Sequence, residues 1–452
     1  MMLCNQIRTR ALLAVGLLLT VISHTAAQDS LRKGMLSGEW RTYYQSTHNQ
    51  GTLKDFYGLA TGGKLGFQYA FTPNLRAGTI LYTSVNLGIQ DLTIPDATTG
   101  KGSRYEKALF DLQDLNDRWI VLPGELYLHY TPDKHDLRVG RLKVESPFIN
   151  PQDGRMIPTL GQGIWYQYRP SPEYTLQLGW LNAIAPRATQ RFYAIGESIG
   201  QHSVGRNPDG SPSQYAGHTQ SDYIMVAGLS MQPWRILNLE LWDYFAQNIF
   251  HTLYLKPTLH LKNMNTAFSL EWLHQDREGE GGNAVDSLRY FSGKHANVLG
   301  VQLTQKLDHT AISLGYDHVL KGDRFLFPRE WGRESLFTVQ KRERTEGSAN
   351  NHAVVLTYER LFSFKKQKLQ TVTSLGHQWR PSVHHPAENK YGIPDYTHIN
   401  LDLFYQHTHE SHLKPEMLLT YKWGHHNVPD DPGFVLNKVN MFQINMIVNY
   451  HF

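Results

Sequence analysis

Gly196 to Gly200 reads GESIG and matches the G-x-S-x-G pattern in which a strand turns sharply into a helix and presents a nucleophilic serine. That elbow needs a strand before it and a helix behind it. Here the pentapeptide lies in a long link with no helical period after it, so an ordinary loop is the expected conformation. His407, His409 and His412 in HTHESH carry imidazoles of the kind that ligate metals, as do His384 with His385 and His425 with His426. All fall at turns or loops, where solvated polar residues are the rule. Asp430 and Asp431 in PDDPG have the oxygen chemistry of a weak calcium site and equally that of a Pro-flanked surface turn. The single cysteine, Cys4, lies in the first few residues, so a chain trimmed there has no thiol for disulfides, zinc or nucleophilic catalysis. No catalytic group, metal or cofactor is expected from these motifs.

What remains are charges that act through their position on a regular element, and those elements have to be found first. The chain has 452 residues with 19 Phe, 10 Trp and 24 Tyr, and its formal charge of +4 is spread along its length. Helical membrane bundles need several apolar runs of about 20 residues, which are missing, and without a basic tail nucleic acid is not an expected partner. Arg8 and Arg10 precede the short apolar run Ala11 to Ile22, followed by small residues at Thr25, Ala26 and Ala27. This reads as a secretory leader over residues 1–27, leaving residues 28–452 as one exported domain.

From Met35 onward the dominant signal is alternation with period two. At the C-terminus Phe442, Ile444, Met446, Val448, Tyr450 and Phe452 share one face, while Gln443, Asn445, Asn449 and His451 share the other. Segments of this kind begin near Met35, Leu59, Leu75, Trp119, Asp136, Gly161, Tyr174, Ser221, Ile236, Phe250, Asn265, His295, His309, Asn351, Leu369, Tyr396, Leu413 and Lys438, eighteen in all. Most run longer than the roughly 5 to 6 residues usual in soluble sheets and match the roughly 9 to 11 tilted residues of a bilayer-crossing strand. After every second strand the link is turn-like, as in FTPN at Phe71, PDKH at Pro132 and PSPE at Pro170. The intervening links are mostly long: 88–118, 185–220, 277–294 and 320–350. The very short link near Gln247 is the exception and counts against the strand boundaries there. Leu122, Leu126, Leu128 and Tyr130, Leu237, Leu239 and Leu241, and Ile399, Leu401, Leu403 and Tyr405 give the outward faces. The fold class is all-β: a transmembrane antiparallel β-barrel of about 18 strands, with short periplasmic turns and long extracellular loops.

Parity then points a set of charges into the lumen. Over the early strands these are Arg41, Lys64, Arg76, Arg138, Arg141, Lys143 and Arg169, with Glu39 and Glu125; Arg141 and Lys143 face inward only if a bulge lies near Gly140. Over the later strands they are Glu240, Glu271, Asp317, Glu359, Asp402 and Glu416, diluted by Lys256, Lys306, Lys414 and Lys422. Two accounts stand side by side: the charges pair across strands and keep the wall polar, or the basic side guides anions because low-dielectric walls focus the field.

The stretch LRVGRLKVESPFINPQDGRMIPTLGQGIWYQY, residues 137–168, resembles the segment of OprD-type outer-membrane porins in which a strand ending in Gly-Arg enters a loop with Pro, Asp-x-Arg and Pro, then a Gly before the next strand. GEWRTYYQ at Gly38 to Gln45 is similar to that family's first strand. The resemblance implies an eighteen-stranded barrel whose third loop, about 146–160, folds inward and narrows the pore, with a row of basic wall residues for small carboxylates and amino-acid-like solutes. It implies Asp153 and Arg155 at the constriction and Arg138, Arg141 and Lys143 in the basic row. The many lumen acids stand against strong anion selectivity. The expected function is a passive porin in a Gram-negative outer membrane, in contact with small solutes and outer-membrane lipids, as a monomer or loose trimer. Tyr450 and Phe452 form a terminal aromatic signal for the barrel-insertion machinery. The alternatives are a barrel enzyme such as a lipase, which needs a Ser and His paired near the rim, and a less selective sugar or peptide porin.

Overall fold

Alternating residues put one face of each strand toward lipid and the other toward the lumen, and the chain resolves this conflict by closing a sheet on itself. The computed structural model describes residues 34–152, 154–261, 264–407, 412–425 and 427–452. The expected leader, Asp153, His409 and His426 lie outside the described residues. The strands are β1 (Gly34–Asn49), β2 (Phe56–Thr72), β3 (Leu75–Asn86), β4 (Trp119–Tyr130), β5 (His135–Leu142), β6 (Leu160–Ser171), β7 (Tyr174–Ala185), the two-residue β8 (Tyr193–Ala194), β9 (Ile224–Trp234), β10 (Leu237–Ala246), β11 (Phe250–Leu261), β12 (Thr266–Arg277), β13 (His295–Leu307), β14 (Thr310–Val319), β15 (Asn351–Ser363), β16 (Gln367–Trp379), β17 (Tyr396–His407), β18 (Leu413–Gly424) and β19 (Met441–His451). With β8 set aside, eighteen long strands pair antiparallel with their chain neighbours, and β1 pairs with β19 from Glu39 against His451 to Asn49 against Met441. Closure leaves no free edge. Every expected strand is present, with starts displaced by no more than three residues.

The short link at 247–249 is real. Ala246 and Phe250 end their strands opposite each other, and Asn248 takes φ +62° to turn the chain between them. The boundaries there stand, and the loop itself is short. One parity expectation is corrected on β4. A register shift opposite Ile80 and Leu81 leaves Gly124 unpaired, so Leu122 is buried at 2 % exposure while Val121, Leu126 and Leu128 face out. A side chain at Gly124 would run into Tyr82 and Leu160, so only glycine fits this bulge.

The core lies inside the barrel, where the long loops meet the wall. Phe148, from the link 143–159, is fully buried against Tyr244, Tyr254, Phe325 and Phe327. Met156 and Ile157 of the same link sit in a second cluster with Tyr43, Tyr82, Leu109 and Phe110. At roughly 1.5 to 3 kcal/mol for each large side chain removed from water, these anchors favour an inward fold of the link over a free external loop.

Candidate functional site

The link 143–159 and the link 320–350 meet in the lumen and are stitched together by polar groups. Asn150 donates from its backbone to the Trp331 carbonyl at 3.2 Å and from its side chain to the Arg333 carbonyl at 2.7 Å. The Gln152 amide donates to the Arg329 carbonyl at 2.8 Å. The link 320–350 is then tied to the wall by acids. Glu271 accepts from Phe337 N–H at 3.0 Å and from the Tyr254 hydroxyl at 2.7 Å, while Asp317 accepts from the backbone and hydroxyl of Thr338 at 2.7 and 2.6 Å. Lys341 meets Asp402 at 2.6 Å, and Glu343 meets Lys422 at 2.7 Å and the Tyr105 hydroxyl at 3.0 Å. Arg104 and Lys422 outweigh the burial of Glu343 and hold its carboxyl well below the usual range.

These contacts bound a cavity of about 880 Å³, lined among the described residues by ten basic and five acidic side chains. Three of the acids are engaged locally: Glu334 by Arg344 at 3.1 Å, Glu343 by Arg104 and Lys422, and Asp402 by Lys341. Among the described residues no carboxylate lies within ion-pair reach of Arg155. Its Nη1 donates to the Tyr43 hydroxyl at 3.4 Å and its backbone carbonyl accepts from Arg41. Arg342 donates to the same hydroxyl and to Asn445, each at 2.6 Å. Burial, then the neighbouring Arg342 charge, pushes Arg155 down to about 10, and burial with the Arg155 and Arg344 charges also holds Arg187 well below its ordinary value. An arginine at about 10 is still cationic at neutral pH. The site therefore offers concentrated positive charge with neutral oxygen partners.

The residues singled out by sequence separate into two groups. Arg41 and Arg155 line the cavity with Asp402, and Glu416 joins them. Arg141 does not. The pairing of β5 with β6 runs from Val139 opposite Ile164 to Arg141 opposite Gln162 without a register shift, and Gly140 between them takes φ +127°. Its guanidinium donates to Gln162 at 3.1 Å and stacks 4.6 Å from the Phe192 ring centre. Lys143, between the buried Leu142 and Val144, does not line the cavity either. Arg138 faces the lumen nearer the short-turn rim and pairs with Asp136 at 3.2 Å. Arg76, across β4 from it, and Arg169 are exposed near the same rim. Lys64 and Arg41 both pair with Glu39, at 3.2 and 3.1 Å. Glu240 pairs with Lys256 at 2.7 Å. Of the acids expected on the later strands, Glu271, Asp317 and Asp402 thus hold the link 320–350 and Glu240 is taken up in a local pair.

The sequence reading passed over Arg104, Arg187, Arg333 and Arg342, which sit in links with no periodicity. Only the charge density of Lys341 to Glu346 marks part of this set in the sequence. Ser198 of GESIG ends a single helical turn, is fully buried, donates to the Ile195 carbonyl at 2.6 Å and accepts from Trp331 Nε1 at 2.8 Å. Its hydroxyl is committed to packing. No group of three His, Cys, Asp or Glu among the described residues is arranged to hold a metal ion.

Residues 128–362 match the family described as outer membrane porin, OprD family. No curated protein matches the chain. Among solved structures, Pseudomonas aeruginosa OpdK crystallised with vanillate shares 14 % identity at a TM-score of 0.67, over 94 % of this chain and all of that one. Pseudomonas aeruginosa OccK9 (OpdG) shares 14 % at 0.68, over 94 % and 99 %. Acinetobacter baumannii OccAB3 shares 13 % at 0.67, over 93 % and 100 %. At these identities the likeness concerns the fold.

Proposed function

This chain belongs to the OprD family of outer-membrane porins, and from that premise we propose that it takes up small organic acids through a constriction whose selectivity is set by Arg155 with Arg187, Arg333 and Arg342. The observation that carries the reading is the absence of a carboxylate partner for these four guanidiniums among the described residues, while Glu334, Glu343 and Asp402 are neutralised by other cations. A low-dielectric barrel concentrates the resulting field on the aqueous path, so anions are enriched and cations repelled. Arginine forks suit a planar carboxylate, and neutral oxygens from Tyr43 and Asn445 hold the forks in place without cancelling their charge. Passage needs no bond breaking and no energy beyond the solute gradient. Vanillate, the carboxylate named with OpdK, is of the same class.

The test is the reversal potential of the purified barrel in planar bilayers under a potassium chloride gradient, with liposome swelling in benzoate and in a neutral sugar of similar size. Anion-selective current and faster entry of benzoate are expected. Cation-selective current with equal entry of the two solutes would leave the proposal without support.

A further inference from the structure

The way the guanidiniums are held bears on the valence of the solute as well as on its sign. Arg155 is 3 % exposed; among the described residues its Nη1 donates to the Tyr43 hydroxyl and the Gly154 carbonyl, and its Nε–H meets no acceptor. Arg342 converges on the same Tyr43 hydroxyl, and among the described residues its Nε–H also meets no acceptor. Arg187 makes no side-chain hydrogen bond among the described residues, and its buried Nε is likewise unmatched. Arg333 has one side-chain bond among the described residues, to the Val339 carbonyl at 3.3 Å. Two like charges meeting on one neutral phenol oxygen, with two more in the same cavity, form an arrangement that ordinarily repels itself apart. It is held because both links are anchored elsewhere, by Phe148, Glu343 and Thr338.

A monocarboxylate fills one guanidinium fork and cancels one charge. The remaining cations then line the same cavity with no carboxylate in ion-pair reach among the described residues. Resting on the anion reading above, we infer that the constriction is a site for small oxyanions carrying two or more negative charges, the chemistry shared by oligocarboxylates and phosphate monoesters, and that it prefers them to monocarboxylates. Such a solute spans neighbouring arginines at once, so each added charge is attracted by cations that a monoanion leaves unmatched.

The experiment measures block of chloride current through the full chain in planar bilayers at pH 7 by propionate, succinate and tricarballylate, and by glucose 6-phosphate against glucose. Half-block by succinate is expected at roughly a tenfold lower concentration than by propionate, as one further partly screened charge contact would give. Tricarballylate should act lower still, and glucose 6-phosphate should block where glucose does not. Potent oligocarboxylates with an inert phosphate ester would assign the site to carboxylates. Equal potency of propionate and succinate in an anion-selective channel overturns the inference and leaves the anion reading intact. A cation-selective channel blocked by none of them removes the anion reading itself. Arg187→Gln provides a second measurement, since among the described residues that side chain holds no hydrogen bond whose loss would disturb the fold. It should narrow the gap between succinate and propionate several-fold, and an unchanged gap in the folded variant counts against the site.

Discussion

Gly38 and Phe452 exchange two backbone hydrogen bonds, at 2.8 and 3.0 Å, and the Phe452 ring lies over the space that a side chain at position 38 would fill. The last residue of the chain thus completes the seam between β19 and β1, with its ring 57 % exposed on the outer face beside Tyr450. Removing Phe452, or placing leucine at position 38, is expected to lower the amount of folded barrel in the outer membrane without blocking export. The check is the heat-modifiable gel shift of membrane fractions, with periplasmic accumulation followed in parallel. Normal folded levels for both variants would mean that the seam tolerates an open end.

Arg141 and Arg155 make opposite predictions although only a short stretch of chain separates them. Arg155→Glu places an acid beneath Tyr43 in the cavity and is expected to move the reversal potential toward cations and slow benzoate entry more than sugar entry. Arg141→Glu alters a residue bonded to Gln162 and stacked on Phe192, outside the cavity, and is expected to leave the reversal potential unchanged. A shift from Arg141→Glu as large as that from Arg155→Glu would contradict the placement.

Phe148 holds its link to the wall through ring contacts of 5.7 and 5.1 Å with Tyr244 of β10 and Tyr254 of β11, and to the link 320–350 through Phe327 at 5.3 Å. Phe148→Ala should cost about 3 to 5 kcal/mol of local stability. Because the barrel wall is paired independently of the loop, that loss appears as a wider, noisier pore. Single-channel recordings should show higher conductance and frequent sub-states.

Thr338 donates twice to Asp317, from backbone and hydroxyl. Thr338→Val keeps the volume and the backbone bond but removes the hydroxyl, a loss of about 1 to 3 kcal/mol when a buried acceptor is left short. Open-channel noise is expected to rise while ion selectivity stays as it was, since no cavity charge changes. Altered selectivity would place Thr338 in the permeation path.

Glu343 sets a pH window. Its folded carboxyl is held below the ordinary carboxylate range by Arg104 and Lys422, so its contribution to loop anchoring is fully present above the unfolded value near 4.3 and is lost as pH falls through the depressed one. Conductance noise from this anchor should therefore stay flat from pH 7 to about pH 5 and grow only in stronger acid. Glu343→Gln should show the noisy state already at pH 7, and a variant as quiet as the parent would separate the anchor from this carboxylate.

Period-two alternation is a local property, and it located all eighteen strands because each must present apolar atoms to lipid on one side and polar atoms to the lumen on the other, residue by residue. The same rule failed at Leu122, where one extra residue at Gly124 reverses the faces, and it could not decide Arg141, whose direction it made conditional on a bulge near Gly140. A bulge is a property of two strands in register and leaves little trace in one of them. Arg155 was legible because a short motif carries it. Arg187, Arg333 and Arg342 were not, since a link without periodicity has no face until something holds it. That decision belongs to the tertiary structure: Phe148 packing across the lumen, and Glu271, Asp317, Asp402 and Lys422 gripping the loop that brings Arg342 to Tyr43. The sequence alone determined that these strands close into a barrel with mixed charge inside. Only tertiary contacts decided which charges cancel and which line the cavity without a counter-charge among the described residues, because cancellation depends on distances between side chains on links and strands, from 10 residues apart for Glu334 and Arg344 to 239 for Arg104 and Glu343.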